Sequence, residues 1–268
     1  MDQDGIADRN NVHWIGEGER VLMLAHGFGC DQNVWRFMTP SLTSAYRVLL
    51  FDYVGCGHSR LGAFSVDRYS QLEGYARDVL DILEAFDLRD VSFVGHSVSG
   101  MVGLLAALEQ PERFRDLVMV APSPCYLNVP PDYQGGFSRE DLSELLDLMD
   151  KNYIGWADYL APLAMGAEAP DELTGELSGS FCSTDPLVAR TFAKATFFSD
   201  YRHLLPRTRH PSLLLQSRSD SLANPSVGEY MHQHMPGSQL EVLETVGHCI
   251  HMTDPDEVST EVLAFLSR

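Results

Sequence analysis

Val91-Ser92-Phe93-Val94-Gly95-His96-Ser97-Val98-Ser99-Gly100-Met101-Val102-Gly103 is the stretch from which the rest of the chain can be read. A β-branched and aromatic run passes into a serine flanked by small residues and then into an apolar helical pattern. A serine on a sharp strand-to-helix turn projects its hydroxyl out of the packed layers. The backbone N–H groups after it stand at a helix N-terminus, ready for an oxyanion. The spacing predicts a nucleophile elbow with Ser97 as the nucleophile.

The elements on either side of the elbow alternate. Val12-His13-Trp14-Ile15 and Arg20–Ala25 read as two strands around the glycine turn Gly16-Glu17-Gly18, and the all-apolar Val48-Leu49-Leu50-Phe51 as a strand buried on both faces. The last two run into glycine-bearing loops, His26-Gly27-Phe28-Gly29 and Asp52-Tyr53-Val54-Gly55-Cys56-Gly57. From Gln71 to Phe86, Leu72, Tyr75, Ala76, Val79, Leu80, Leu83 and Phe86 recur at helical spacing with Asp78, Asp81 and Glu84 between them, which predicts an amphipathic crossover helix. The strand Val91–Val94, the helix Val98–Glu109 halted by Pro111 and the strand Leu117–Ala121 follow. Strand alternating with helix predicts an α/β fold with a parallel sheet.

After Ala121 the alternation stops. Ser138 and Asp141 form a capping-box pattern ahead of Leu142, Leu145, Leu146 and Met149, and further helices are predicted by Tyr153–Ala164, by Leu173, Leu177 and Phe181, and by Asp185-Pro186 leading into Val188, Phe192 and Ala195. Residues 122–206 read as a helical lid inserted into a core formed by 1–121 and 207–268. Strands resume at Pro211–Gln216 and Gln239–Leu243 with a helix near Val227–His234 between them, and a last amphipathic helix runs from Asp256 to Leu266.

With 44% hydrophobic and 21% charged residues and a mean hydropathy of −0.12, the 268-residue chain has the apolar content of one large soluble core. Its net charge of −19, with no basic run, repels phosphate backbones and anionic bilayers, which argues against nucleic-acid and membrane partners. Met1-Asp2-Gln3-Asp4-Gly5 lacks the basic and apolar regions of a signal peptide, and no apolar stretch approaches the roughly 18 residues of a membrane span. The expected location is the cytoplasm. Five scattered cysteines, an odd number without zinc-site spacing, predict reduced thiols.

A serine hydroxyl is a weak nucleophile at neutral pH; it needs a base within hydrogen-bond reach, held in one tautomer by a carboxylate. Asp220 follows the strand that ends at Gln216, and His248 follows the next strand through Glu244-Thr245-Val246-Gly247. Singly, Ser97 could cap a helix, Asp220 could cap the helix after it, and His248 could be a surface histidine. Together, their order and their common place at the C-terminal edge of a parallel sheet select Ser97, Asp220 and His248 as a catalytic triad. The N–H of Val98 and that of Phe28, between two glycines, are the expected oxyanion donors. Among the other histidines, His96 is expected to set the turn, His251 to pack near the base, and His232 and His234 to lie on a surface helix. Asp254 and Asp256 read as caps of the last helix. Cys249 offers either thiolate chemistry or the commoner state of a free cysteine, a small buried hydrophobe. Acyl transfer of this kind requires neither cofactor nor metal, and none is expected.

With these residues assigned, the chain resembles the α/β-hydrolase superfamily over essentially its whole length. Within it, the chain is similar to the RsbQ-like regulators of the bacterial sigma-B stress response and to the plant karrikin and strigolactone receptor hydrolases. The stretches that carry this resemblance are Gly27-Phe28-Gly29-Cys30-Asp31-Gln32, Phe51-Asp52-Tyr53-Val54-Gly55, Gly95-His96-Ser97-Val98-Ser99, Pro122-Ser123-Pro124-Cys125-Tyr126-Leu127-Asn128, Asn152-Tyr153-Ile154-Gly155-Trp156-Ala157, Phe181-Cys182-Ser183-Thr184-Asp185-Pro186 and Gly247-His248-Cys249. Several lie in the lid, where unrelated hydrolases differ most. The resemblance implies an eight-stranded, mostly parallel sheet under a V-shaped lid of four helices. It also implies a deep apolar pocket above Ser97 lined by Phe28, Tyr126, Trp156 and Phe197. The chain departs from the family pattern at Ser99, where glycine is usual, and at Ile250, where proline often precedes the residue at 251.

The resemblance further implies a small hydrophobic ester or lactone as ligand, and action as a positive regulator of a sigma-B-type pathway together with a phosphatase carrying a PAS domain. A general carboxylesterase without a regulatory partner, and a ligand-binding sensor with negligible turnover, are the alternatives. A dehalogenase would want a carboxylate at position 97, whereas a lyase or a cofactor-free oxygenase is compatible with the same fold.

Overall fold

Residues 2–268 are described by a computed structural model. The chain enters through helix α1 (Gln3–Arg9), whose first turn is capped by the Asp2 carboxylate accepting from the Gly5 N–H at 3.0 Å. It continues through β1 (His13–Ile15), β2 (Arg20–Ala25), the single-turn helix α2 (Thr39–Leu42) and β3 (Tyr46–Leu50). A short helix α3 (Val66–Tyr69) precedes α4 (Leu72–Ala85), β4 (Val91–His96), α5 (Val98–Glu109) and β5 (Phe114–Val120). Four helices follow with no intervening strand: α6 (Arg139–Lys151), α7 (Tyr153–Met165), α8 (Asp171–Ser183) and α9 (Pro186–Phe197). The sheet resumes with β6 (Ser212–Ser219), α10 (Pro225–His234) and β7 (Ser238–Val246), and the chain closes with α11 (Ile250–Thr253) and α12 (Pro255–Leu266).

The strands form one sheet in the order β1-β3-β2-β4-β5-β6-β7, parallel except for β1, which runs antiparallel to β3. Side chains alternate between its faces: Met23, Phe93, Leu117, Met119 and Leu214 join the core under α4, α5 and α10, and Leu22, Leu24, Val94, Val118 and Leu215 join the one under α12. Both faces are covered, which is why the central strands are apolar throughout. Each fully buried aliphatic side chain contributes about 1.5–3 kcal/mol relative to exposure.

Three expectations change. The sheet has seven strands among the described residues where eight were implied, and Gln3–Arg9, ahead of the first strand, is a capped helix that buries Ile6. The two strands flanking Gly16 both exist, but β3 lies between them, pairing Trp14 with Leu49 on one side and Met23 with Leu49 on the other. Asp78 is not part of a solvated stripe on α4. It is wholly buried, accepting from Arg68 at 2.7 Å, Tyr69 Oη at 2.9 Å and the Val54 N–H at 3.1 Å, and burial pushes its carboxyl above the usual range despite Arg9 and Arg68. The capping box forms as read: Ser138 Oγ accepts from Asp141 N at 3.1 Å and the Asp141 carboxylate accepts from Ser138 N at 2.8 Å.

Candidate active site

β4 and α5 leave no linker, so the residue between them must reverse the chain in one step. Ser97 does so at φ 57°, ψ −124°, a backbone conformation rare for a side-chain-bearing residue, and is held there by donating its N–H to Val120 O at 2.8 Å. The reversal brings Gly95 so near the first turn of α5 that a Cβ on it would lie 2.4 Å from Ser99 O. Ser99, at the position where glycine is usual, fits without a clash and adds a crosslink: its hydroxyl donates to His26 O and lies 2.9 Å from Tyr53 Oη.

Asp220 and His248 follow the ends of β6 and β7. The Asp220 carboxylate divides its work: Oδ1 accepts the N–H groups of Leu222 at 2.8 Å and Ala223 at 3.0 Å, while Oδ2 accepts Nδ1–H of His248 at 2.7 Å. The turn-capping role and the triad role thus belong to the same side chain. His248 is fixed by its own N–H, which donates to Ala164 O at 2.7 Å, and by Gly247 N donating to Ser219 O at 2.7 Å. Its Nε2 lies 2.7 Å from Ser97 Oγ. Residues separated by 151 positions in the chain are thereby in one hydrogen-bonded line. The replacement Ile250 is buried at the start of α11 and leaves His248 in this line.

The glycine loop after β2 lies against the nucleophile. A Cβ on Gly27 would be 3.4 Å from Ser97 Cβ and 2.6 Å from His96 Nδ1, so only glycine lets the Phe28 backbone come this close. The N–H groups of Phe28 and of Val98, the first residue of α5, donate to no other group among the described residues.

A small apolar cavity of about 30 Å³ lies above Ser97. Phe28, Tyr126, Leu160, Phe181, Phe197 and Leu222 are among the residues that close it. Phe28, Tyr126 and Phe197 are where the resemblance put them, but the cavity is small, and Trp156 does not line it. Trp156 is fully buried one layer back, stacked on Tyr153 at 5.4 Å and meeting Phe28 edge-on at 6.0 Å and Phe181 at 5.2 Å. Leu160, one turn further along α7, takes the expected place. Phe181 and Leu222 were missed as wall residues: one faces the cavity from the last turn of α8, the other from the turn that Asp220 caps. Leu160 and Leu222 also border a second cleft of about 500 Å³ beside α6 and α7, walled by Phe137, Leu145 and Tyr159, so these two leucines separate it from the space over Ser97.

The remaining polar neighbours are buried and neutral. His96 Nε2 lies 3.0 Å from His248 O, and since a carbonyl only accepts, this nitrogen carries the proton. Its ring lies 4.1 Å from that of His251 at a tilt of 43°, and burial holds His96 well below the usual imidazole range and His251 down at about 3. His232 and His234 are exposed on α10, and Asp254 occupies the N-cap of α12 without a side-chain bond to it. Cys249 lines the cavity with its thiol pushed well above the usual range by burial, and Cys30 is pushed up to about 12, so both present protonated sulfur.

Comparison with known proteins agrees with this fold. The profile of the alpha/beta hydrolase fold matches residues 20–255. The chain is similar to the Karrikin insensitive 2 receptor CA of Petunia hybrida, with 41% identity over 254 residues and 94% of each chain covered. It is also similar to the strigolactone esterase of Arabidopsis thaliana, with 35% identity and 97% of each covered. A solved hydrolase from Oleispira antarctica shares 56% identity and superimposes with a TM-score of 0.99, covering 100% of this chain and 98% of that one.

Proposed function

The chain belongs to the alpha/beta hydrolase fold family, and from that premise we propose that it is a serine hydrolase that cleaves a small hydrophobic ester or lactone by acyl transfer through Ser97. The observation that carries the proposal is the pair of 2.7 Å hydrogen bonds running from Ser97 Oγ through His248 to Asp220. Asp220 takes Nδ1–H and so leaves Nε2 as a proton acceptor. His248 removes the Ser97 proton as Oγ attacks the carbonyl carbon, and the N–H groups of Phe28 and Val98 receive the oxyanion. Each such donor is worth about 10²–10³ in rate. The imidazolium then protonates the departing alcohol, and water repeats the sequence on the acyl-enzyme to free Ser97.

Residues 122–206 act in this scheme as a lid, contributing Tyr126, Leu160, Phe181 and Phe197 to the closed space. A cavity of about 30 Å³ is far below the roughly 300–1,000 Å³ of a ligand pocket, so the lid gives way as an ester enters, with Leu160 and Leu222 yielding toward the adjoining cleft. The apolar lining favours hydrophobic acyl groups. In the Ser97→Ala protein, kcat for p-nitrophenyl acetate is expected to fall by roughly 10⁴-fold or more; turnover at the wild-type rate would remove Ser97 from the reaction.

The same reading extends to signalling. Receptors of small molecules among the relatives, and the lid stretches that resemble RsbQ-like proteins, support a cytoplasmic positive regulator of a sigma-B-type stress pathway that works with a PAS-domain phosphatase. Affinity capture from the native host is expected to retain such a phosphatase. Its absence, together with fast turnover of ordinary esters, would leave a carboxylesterase of metabolism.

A further inference from the structure

We propose that Tyr126 is a catalytic residue of the second half-reaction, its hydroxyl stabilising the Ser97 oxygen as that oxygen leaves the acyl-enzyme. The inference rests on Ser97 being the nucleophile. Tyr126 Oη lies 3.0 Å from Ser97 Oγ, on which His248 Nε2 also converges at 2.7 Å. Because Nδ1 gives its proton to Asp220, Nε2 accepts the serine hydrogen, and the hydrogen between the two hydroxyls is therefore the phenol's. Tyr126 donates and Ser97 accepts. Burial raises the phenol above its ordinary pKa, so it remains a neutral donor under the conditions in which His248 works as a base.

The hydroxyl is held at this point by a loop with little freedom. Pro124 O accepts from Tyr201 N at 2.9 Å, Cys125 O from Tyr133 Oη at 2.6 Å and Ser123 Oγ at 2.9 Å, and Tyr126 O from Phe137 N at 3.1 Å. The ring itself meets Phe197 edge-on at 5.2 Å. A donor placed in advance contributes to catalysis only where its bond strengthens between ground state and transition state. Before acylation the bond to Ser97 already exists, so the attack gains little from it. In the acyl-enzyme Oγ is the bridging oxygen of an ester and a poor acceptor, and as it departs it gathers negative charge and becomes a strong one.

The step balances as follows. Water adds to the acyl carbonyl and passes a proton to His248 Nε2. The bond from carbon to Oγ then breaks, its electron pair goes to Oγ, and the proton on Nε2 follows it. Tyr126 keeps its own proton throughout and donates a hydrogen bond, and the carboxylic acid is released.

The test is pre-steady-state hydrolysis of p-nitrophenyl acetate by Tyr126→Phe, with the acetyl adduct on Ser97 followed by intact-protein mass spectrometry. The burst reports acylation and is expected to stay within about threefold of wild type, while deacylation slows by roughly 10- to 100-fold, the range of a hydrogen bond to a charged group. Acetyl-enzyme then accumulates. Equal slowing of both phases would make Tyr126 a packing residue, and no change in either would make it a spectator; both overturn the proposal. 3-Fluorotyrosine incorporated at position 126 preserves the ring and the hydroxyl, so it also serves if the phenylalanine variant fails to fold. It is expected to deacylate at least as fast as wild type, and slow deacylation would again overturn the proposal. An acetyl adduct that persists in Ser97→Ala would instead refute the nucleophile assignment itself.

Discussion

Two regions meet at Ser97 and are held in different ways. Beneath it, the loops at the C-terminal edge of the sheet are fixed by directional bonds: Ser97 N to Val120 O, His248 N to Ala164 O, and two turn N–H groups on Asp220 Oδ1. Above it, Phe28, Phe181 and Phe197 meet ring to ring at 5.7 to 6.0 Å, with no polar group tying these rings together. Directional bonds hold reacting atoms to a fraction of an ångström, as proton transfer requires. Apolar contacts are individually weak and can be exchanged for others, as a roof that admits a substrate requires. Tyr126 departs from this pattern as a roof residue whose backbone is bonded like the floor.

Asp220→Asn puts the floor under the greatest stress. The amide oxygen can still accept from Leu222 and Ala223, but its NH₂ then faces His248 Nδ1 and forces the tautomer with a proton on Nε2. The expected result is a loss of kcat of about 10⁴-fold at an almost unchanged melting temperature. A loss below tenfold would mean that the floor tolerates as much as the roof.

A smaller effect is expected at His251, which packs between Trp35 and His96 with neither ring nitrogen bonded. Its pKa is held at about 3 when folded against about 6.5 when unfolded, so the unfolded chain binds the extra proton between these values. Its contribution is complete well above pH 6.5 and is lost as pH falls through 6.5 toward 3. From pH 7 to pH 5 this amounts to about 2 kcal/mol. His251→Phe, compared with wild type by urea unfolding at pH 7 and pH 5, should lose that much less stability over the interval; parallel losses would contradict it.

The smallest effect sharpens the description of the roof. Leu222→Ala joins the space over Ser97 to the cleft beside α6, so kcat/KM for a bulky acyl ester should rise roughly tenfold relative to acetate, the scale of a small change in an apolar pocket. An unchanged ratio would place the substrate's path elsewhere.

How much of this was legible in the chain varies with the distance over which each feature is decided. The elbow, the capping box of α6 and the buried face of α4 depend on neighbours within a few positions, and were read correctly. The convergence of Ser97, Asp220 and His248 was readable because parallel strands end at one edge, and strand ends can be located from apolar runs and glycines. Trp156 was misplaced because helical spacing says that it is buried without saying whether Phe28 and Phe181 stand between it and the cavity. Asp78 was misread for the same reason: nothing near it announces that Arg68, Tyr69 and the Val54 N–H will surround it.

The sequence by itself determined the alternation of strand and helix, the turn that exposes Ser97 and the chain order of nucleophile, acid and base. These follow from local stereochemistry and from the period of the apolar pattern, which every segment carries within itself. Only the tertiary structure decided that β3 enters between β1 and β2, that Leu160 rather than Trp156 walls the cavity, and that the Tyr126 hydroxyl rests on Ser97. Each of these is a contact between segments far apart in the chain, selected by which surfaces pack best once the whole core has closed.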